Sequence, residues 1–398
     1  MIFAERMRGM KPSAIREILK VTQAPDVISF AGGLPAPELF PVAEIAQAAQ
    51  QVMSEDPAGA LQYGLTEGHG PLRSWVATHV AQTVSLRVDP SDVLITQGSQ
   101  QALDLLSKVL LDPGDVVLVE NPGYLGALQS FQSYQADVVG LDSDTEGVRP
   151  EALERALAPA NTRRPKFLYL IPNYQNPTGA SMSGQRRREI AAIAARHQLL
   201  VVEDDPYGRL RFEGEAIPAL GALQTDLNWV YLGTVSKILT PGLRVAWLIT
   251  RDKSLFQALA MAKQAADLHT STFTQRVVEA AVRPVGWLDQ HVETLCRVYR
   301  ARRDVMEHAL AENVPQARWT RPSGGLFLWV TLDGNIDTTN VLKAASEHKV
   351  AFVPGAPFWV SRPTPTNTFR LNFSNASEER IREGMARLGK LLRSAKAA

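Results

Sequence analysis

The chain has 398 residues, 45% of them hydrophobic and 21% charged, which is ordinary for a soluble globular protein and enough for an open α/β sheet. Its 42 basic and 41 acidic residues leave a formal net charge of +1, so no basic field holds nucleic acid and no polybasic block holds a membrane surface. A single cysteine, Cys296, excludes an internal disulfide, and no apolar run is long enough to span a bilayer, so we expect a cytoplasmic protein.

Residues 1–20 carry no signal-like apolar core and read as an amphipathic helix. Ser13 is its cap, Ile15, Ile18 and Leu19 share one face, and Arg16 lies on it. The stretch Ile28 to Pro41, ISFAGGLPAPELFP, is expected to be an extended, hinged loop because of its glycine pair and spaced prolines. A helix from Val42 to Met53 follows, and Gln62-Tyr63-Gly64 opens a glycine-dotted loop that runs to Pro71.

From Asp92 onward, short apolar runs alternate with helical periods. The runs are 93–95, 116–119, 138–141, 167–171, 199–202, 229–232 and 245–249. Unalternated strands joined by helices predict a mostly parallel seven-stranded sheet sandwiched by helices, with ligands at the carboxyl ends of the strands. A helix over 289–312, apolar runs at 326–330, 351–353 and 369–373, a helix near 340–348 and a last helix from Ser377 predict a smaller α+β domain. The expected division is a helix and hinged loop over 1–41, a large domain over 42–285 and a small domain over 286–398.

The polar groups that follow the strands carry the chemistry. Lys237 follows the run 229–232, with Thr234 and Ser236 before it and Arg244 after it. A lysine in an apolar setting loses its proton more readily, and the free amine attacks an aldehyde. The hydroxyls and the arginine suit the phosphate of pyridoxal phosphate. Gly98 and Ser99 open a helix, which makes an anion site. Tyr124 stands just past the second run, where it can stack on a planar ring. In PNYQNPTG, Pro177 biases Asn176 toward an extended conformation. In EDDPY, strand alternation separates Glu203 from Asp204, and a carboxylate beneath a pyridine ring keeps its nitrogen protonated. Arg370 sits among apolar neighbours and calls for a carboxylate. Each feature also has a plain structural reading. Lys237 is then a surface lysine, Ser99 an N-cap and Tyr124 a rim tyrosine. The acids meet Arg209 or Arg211, and Arg370 closes an internal salt bridge.

Taken together, these residues resemble the fold-type-I pyridoxal-phosphate aminotransferases of class I/II. The strings SFAGGLPAPELFP, LQYGLTEGHGPLR, TQGSQQALDL, PNYQNPTG, VVEDDPYGRL, GTVSK, PGLR and ADLHT resemble the 2-aminoadipate and kynurenine/aminoadipate branch. The resemblance implies that Lys237 binds the cofactor's aldehyde, and that Ser99, Gln100, Thr234, Ser236 and Arg244 hold its phosphate. It implies that Tyr124 stacks on the ring, Asn176 and Tyr207 reach its phenolic oxygen, and Asp204 pairs with its nitrogen. Arg370 is implied to bind the substrate α-carboxylate and Arg16 a distal carboxylate, with the Gly32-Gly33 loop closing over the substrate. Tyr63 resembles a tyrosine that reaches the neighbouring subunit's phosphate, which implies a homodimer with shared sites. The activity implied is ping-pong transamination from 2-aminoadipate or glutamate, and also leucine or aromatic amino acids, to 2-oxoglutarate. Another pyridoxal-phosphate reaction, such as a racemase, decarboxylase or lyase, is the alternative on the same fold. A non-catalytic regulatory domain is less favoured, because the pattern begins almost at Met1 and the charge is balanced.

Overall fold

The computed structural model describes residues 3–8, 10, 26–161, 163–334, 336–345, 347–360 and 363–397. Arg16 and most of the first expected helix lie outside the described residues.

The strands, in chain order, begin with β1 (Ile28–Ser29), β2 (Val93–Thr96), β3 (Val116–Asn121), β4 (Asp137–Asp144) and β5 (Gly147–Val148). They continue with β6 (Phe167–Leu170), β7 (Leu200–Asp205), β8 (Trp229–Thr234) and β9 (Ala246–Ile249). Strands β2 to β9 form one sheet in the order β2-β9-β8-β7-β6-β3-β4-β5. Every residue of β2, β3, β6, β8 and β9 is buried, which is why these runs do not alternate.

Helices at Leu125–Ser133, Pro150–Ala156 and Gly184–Arg196 carry the crossovers that make β3, β4, β6 and β7 parallel. Between β8 and β9 the chain makes only a 3-10 turn at Pro241–Leu243, so β9 runs antiparallel to β8 and also to β2. The eighth strand is a small addition to the expected seven. Glu146 N–H donates to Asp144 Oδ1 at 2.8 Å and Gly147 takes φ +85°, which turns the chain back into β5.

Among the described residues, three long helices, Gly70–Val84, Lys253–Asp267 and Thr272–Val282, have no counterpart in the sequence reading, and neither do the short ones at Pro57–Leu61 and Leu220–Leu223. The first long one buries Leu72, Val76, Val80 and Val84 at helical spacing, but it also buries His79, so no clean polar face marks it. Asp252 and Ser271 cap the other two long ones through side-chain acceptors.

The remaining strands are β10 (Ala317–Trp319), β11 (Phe327–Leu332), β12 (Val350–Ala351), β13 (Val353–Pro354) and β14 (Thr368–Asn372). An antiparallel sheet forms in the order β10-β11-β14-β13, accompanied by long helices at Trp287–Asn313 and Glu378–Ala397. The helix at Thr338–Lys343 is shorter than the expected 340–348, and Lys349 turns to φ +51° beyond it.

The stretch 28–38 is a strap laid across this second sheet. Strand β1 pairs with β12, and Asn372 N–H donates to Phe30 O at 2.9 Å. Ser374 Oγ donates to Leu34 O at 2.8 Å, Ala36 N–H donates to the Tyr299 hydroxyl at 3.0 Å, and Arg302 pairs with Glu38. Among the described residues, no helix is long and apolar enough to cross a membrane.

Candidate active site

The carboxyl end of β7 presents three consecutive buried acids, and alternation sends them to two faces of the sheet. Glu203 accepts from Leu220 N–H at 2.8 Å and lies 3.9 Å from Arg187. Asp205 accepts from the Tyr231 hydroxyl at 3.0 Å and from Gly208 N–H at 2.8 Å. On the opposite face, Asp204 Oδ2 accepts from the Tyr169 hydroxyl at 2.7 Å, and Asp204 Oδ1 is buried with no partner among the described residues. Burial pushes the Asp204 carboxyl up to about 7; the Tyr169 hydroxyl opposes that rise and the Asp205 charge adds to it. Neither Arg209 nor Arg211 pairs with Asp204, so the plain reading of these acids is set aside for it.

Beyond β2 and β8 lies an anion cup. Gly98, at φ +79°, is the N-cap of the helix Ser99–Leu110, so Ser99 is the first helical residue rather than the cap. Ser99 Oγ is buried without a partner among the described residues. A Cβ on Gly98 would lie 2.2 Å from Arg244 Nη2, so only glycine lets that guanidinium approach the helix start. Arg244 itself adopts φ +53° and donates to Gln97 O at 3.3 Å. The Thr234 hydroxyl lies 2.8 Å from Ser236 Oγ and donates to Val245 O at 3.0 Å. Two hydroxyls, a guanidinium and a helix N-terminus therefore face one region, which is the donor set a phosphate requires.

Lys237 extends from the turn after β8, and its amine donates to Gly33 O at 2.8 Å. Burial, followed by the Arg370 and Arg244 charges, brings that amine down to about 8. Arg370, on β14, is 1% exposed and makes no ion pair among the described residues. Its Nη1 donates to Asn176 Oδ1 at 2.7 Å and its Nη2 to Ala31 O at 2.6 Å, while Nε has no partner among the described residues. The guanidinium lies 4.3 Å from the Phe327 ring centre and 5.3 Å from that of Phe358. The strap thus meets both cations through backbone carbonyls alone, and Arg370 closes no internal salt bridge among the described residues.

Asn176 follows a loop anchored by Arg187, which donates to Pro172 O, Asn173 Oδ1 and Met182 O. Gln175 braces the same loop, donating to Pro122 O at 2.9 Å and accepting from Thr178 N–H at 2.8 Å. Tyr207 is buried beside Asn176, with its ring edge-on to Phe327 at 5.8 Å. Tyr124 is half-buried and Gln100 Nε2 donates to Gly126 O at 3.1 Å, next to the Tyr124 ring. Burial, followed by the Asp204 charge, pushes the Tyr124 hydroxyl up, and the Arg370 and Arg244 charges oppose that rise.

Tyr63 is not drawn into this cluster: it is 78% exposed, edge-on to His269 at 5.8 Å. Arg16 lies outside the described residues. Sequence reasoning missed Tyr169, Arg187 and the Ala31 carbonyl. Backbone carbonyls have no residue signature, and a tyrosine inside an apolar strand reads as core.

The residues fit pyridoxal phosphate on the structure's own terms. Among the described residues, Ser99 Oγ, Asp204 Oδ1 and Arg370 Nε are buried polar atoms without partners, which suits a bound group with a phosphate, a ring nitrogen and a carboxylate-bearing substrate. Lys237 has a weakened hold on its proton.

The family model for aminotransferase class I and II matches residues 25–388. The chain is 42% identical over 394 residues to aromatic-amino-acid aminotransferase 1 of Thermococcus litoralis, covering 98% of this chain and 94% of that protein. It is 43% identical over 395 residues to 2-aminoadipate transaminase of Thermus thermophilus, covering 98% and 96%. Among solved structures it is similar to the alpha-aminoadipate aminotransferase of Thermus thermophilus complexed with N-(5'-phosphopyridoxyl)-L-leucine. That match has a TM-score of 0.91 and 41% identity, over 99% of this chain and 98% of that one.

Proposed function

The chain belongs to the class I and II aminotransferases, and from that membership we propose that it moves the amino group of an L-amino acid to 2-oxoglutarate, with 2-aminoadipate and glutamate as donors and leucine or aromatic amino acids also accepted. It is a pyridoxal-phosphate-dependent transaminase of fold type I. The observation that carries the reading is the buried, carboxylate-free Arg370 beside the low-affinity amine of Lys237. A buried guanidinium calls for a charged partner, and every amino and 2-oxo acid brings an α-carboxylate.

Bound pyridoxal phosphate supplies an aldehyde that takes up the amino group and a protonated ring that withdraws electrons. The chain supplies the rest. Ser99, Thr234, Ser236 and Arg244 hold the phosphate, with Gln100 at the same helix start. Tyr124 covers the ring, Asn176 and Tyr207 hold its phenolic oxygen, and Asp204 keeps a proton on its nitrogen. Arg370 fixes the α-carboxylate and with it the direction of the α C–H bond. Lys237 Nζ takes the α-proton from the donor and returns a proton to the acceptor in the second half-reaction. The strap supplies carbonyl acceptors to both cations, Ala31 O to Arg370 and Gly33 O to Lys237.

A donor panel with 2-oxoglutarate tests this reading. Arg370→Lys should raise KM for every donor, by roughly thirtyfold or more, because a bidentate partner of a buried carboxylate is lost. Arg16→Ala should raise KM for 2-aminoadipate and spare leucine, since only the former carries a distal carboxylate. Equal loss for both donors in Arg16→Ala would remove the distal-carboxylate role, and a wild type inert toward all donors would remove the substrate assignment.

We also propose a homodimer in which Tyr63 reaches the neighbouring site. Leu61, Tyr63 and Leu65 are 69%, 78% and 69% exposed on one short segment, an apolar stretch that calls for cover. Light scattering should return twice the 43.6 kDa chain mass; a monomer mass at working concentration would refute the shared site.

A further inference from the structure

Tyr169 lies on β6, one strand away from Asp204, on the face of the sheet that carries Asp204 Oδ1. Its residue partner across the ladder is Val202, two residues before Asp204 and so on the same face. Its ring is 2% exposed and held edge-on by Phe131 at 5.6 Å. With the ring fixed, the hydroxyl donates to Asp204 Oδ2 at 2.7 Å.

We propose that Tyr169 is a positioning residue for the cofactor: its hydroxyl occupies Asp204 Oδ2 and fixes the carboxylate so that Oδ1 alone meets the ring nitrogen of pyridoxal phosphate. The inference rests on the cofactor reading given above. A carboxylate with both oxygens bare rotates and takes up a proton more readily, and each change weakens its grip on a ring N–H. Tyr169 prevents both. Its bond to Asp204 is charge-assisted and dry, the conditions under which a hydrogen bond counts most.

The mirror image on the other face supplies a control. Tyr231, on β8, donates to Asp205 Oδ2 at 3.0 Å and is also buried, but Asp205 spends its other oxygen on Gly208 N–H. Removing the Tyr231 hydroxyl perturbs the sheet to a similar degree without touching the acid that faces the ring.

The test compares the affinity of the cofactor-free chain for pyridoxal phosphate with that for the analogue that carries C–H in place of the ring nitrogen. Tyr169→Phe should weaken pyridoxal phosphate binding about tenfold or more and leave the analogue's affinity near the wild-type value. Tyr231→Phe should change both affinities by the same factor. Equal losses of both ligands in Tyr169→Phe would mean a merely structural hydroxyl and would overturn the proposal. A wild type that binds the two ligands equally would overturn both the role of Asp204 and the proposal. A wild type that binds neither would overturn the cofactor reading itself. Thermal melting of the cofactor-free variants checks that all are folded.

Discussion

Lys237→Ala should lose transamination by ~10⁴-fold or more, because the proposed mechanism has one side chain both bind the cofactor's aldehyde and carry the α-proton. The phosphate cup is untouched by the change, so the variant should still take up pyridoxal phosphate through Ser99, Ser236 and Arg244, without the visible absorbance that attachment to lysine gives. Lys237→Arg should be as inactive as the alanine variant, since a guanidinium does not give up its proton near neutral pH. The pH dependence follows from the same amine. Burial holds it down to about 8, so the cofactor-free chain carries a protonated, unreactive Lys237 below that pH and a free amine above it. The rate of recombination with pyridoxal phosphate should rise ~tenfold per pH unit toward 8 and level off above it. A rate that keeps climbing to pH 10 would show an amine with the affinity of exposed lysine. Turnover by the alanine variant would refute the assignment of Lys237.

Much of the candidate site is legible in the sequence through the polar residues at strand ends. Parallel strands buried on both faces turn their functional groups out at their carboxyl ends, so Asp204, Asn176, Thr234 and Lys237 stand out as polar residues that follow apolar runs. What stayed hidden was chemistry supplied by the backbone or by residues that imitate core. The carbonyls of Ala31 and Gly33 receive Arg370 and Lys237, and nothing in AGG marks them as acceptors. Arg187, which anchors the loop before Asn176, looks like one of three consecutive helix arginines, yet it is fully buried and its neighbours are not. The helix Gly70–Val84 went unread because Trp75 and His79 stack on each other and fill the face where polar residues would mark solvent. The apolar run of β9 is plain in the sequence, but its direction is not, since direction depends on whether a helix fits between it and β8.

Asp204→Asn should lower kcat by roughly a hundredfold to ten-thousandfold, ~3–5 kcal/mol, while KM for amino acids changes little. On the proposed assignments, the two halves of that expectation come from different ends of the site. Substrate affinity rests on Arg370, which is positioned by Asn176 and Ala31 and shares no hydrogen bond with Asp204. The barrier rests on Asp204, because only an ionised carboxylate holds a proton on the pyridine nitrogen as charge develops at the α-carbon. An amide has the size of the acid and keeps an oxygen for Tyr169, but it carries no charge, so the ring nitrogen gives up its proton more easily. Asp204→Glu retains the charge and displaces it within a site too tightly packed to adjust, with Tyr169 fixed by Phe131 on one side. It should therefore recover only part of the loss. If the asparagine variant turned over at the wild-type rate, Asp204 would be a structural acid, and its carboxylate oxygen that lacks a partner among the described residues would need another explanation. If instead kcat and KM worsened together, the acid would act by shaping the whole pocket. The separation between them is what distinguishes an electrostatic partner of the ring from a brace in the sheet.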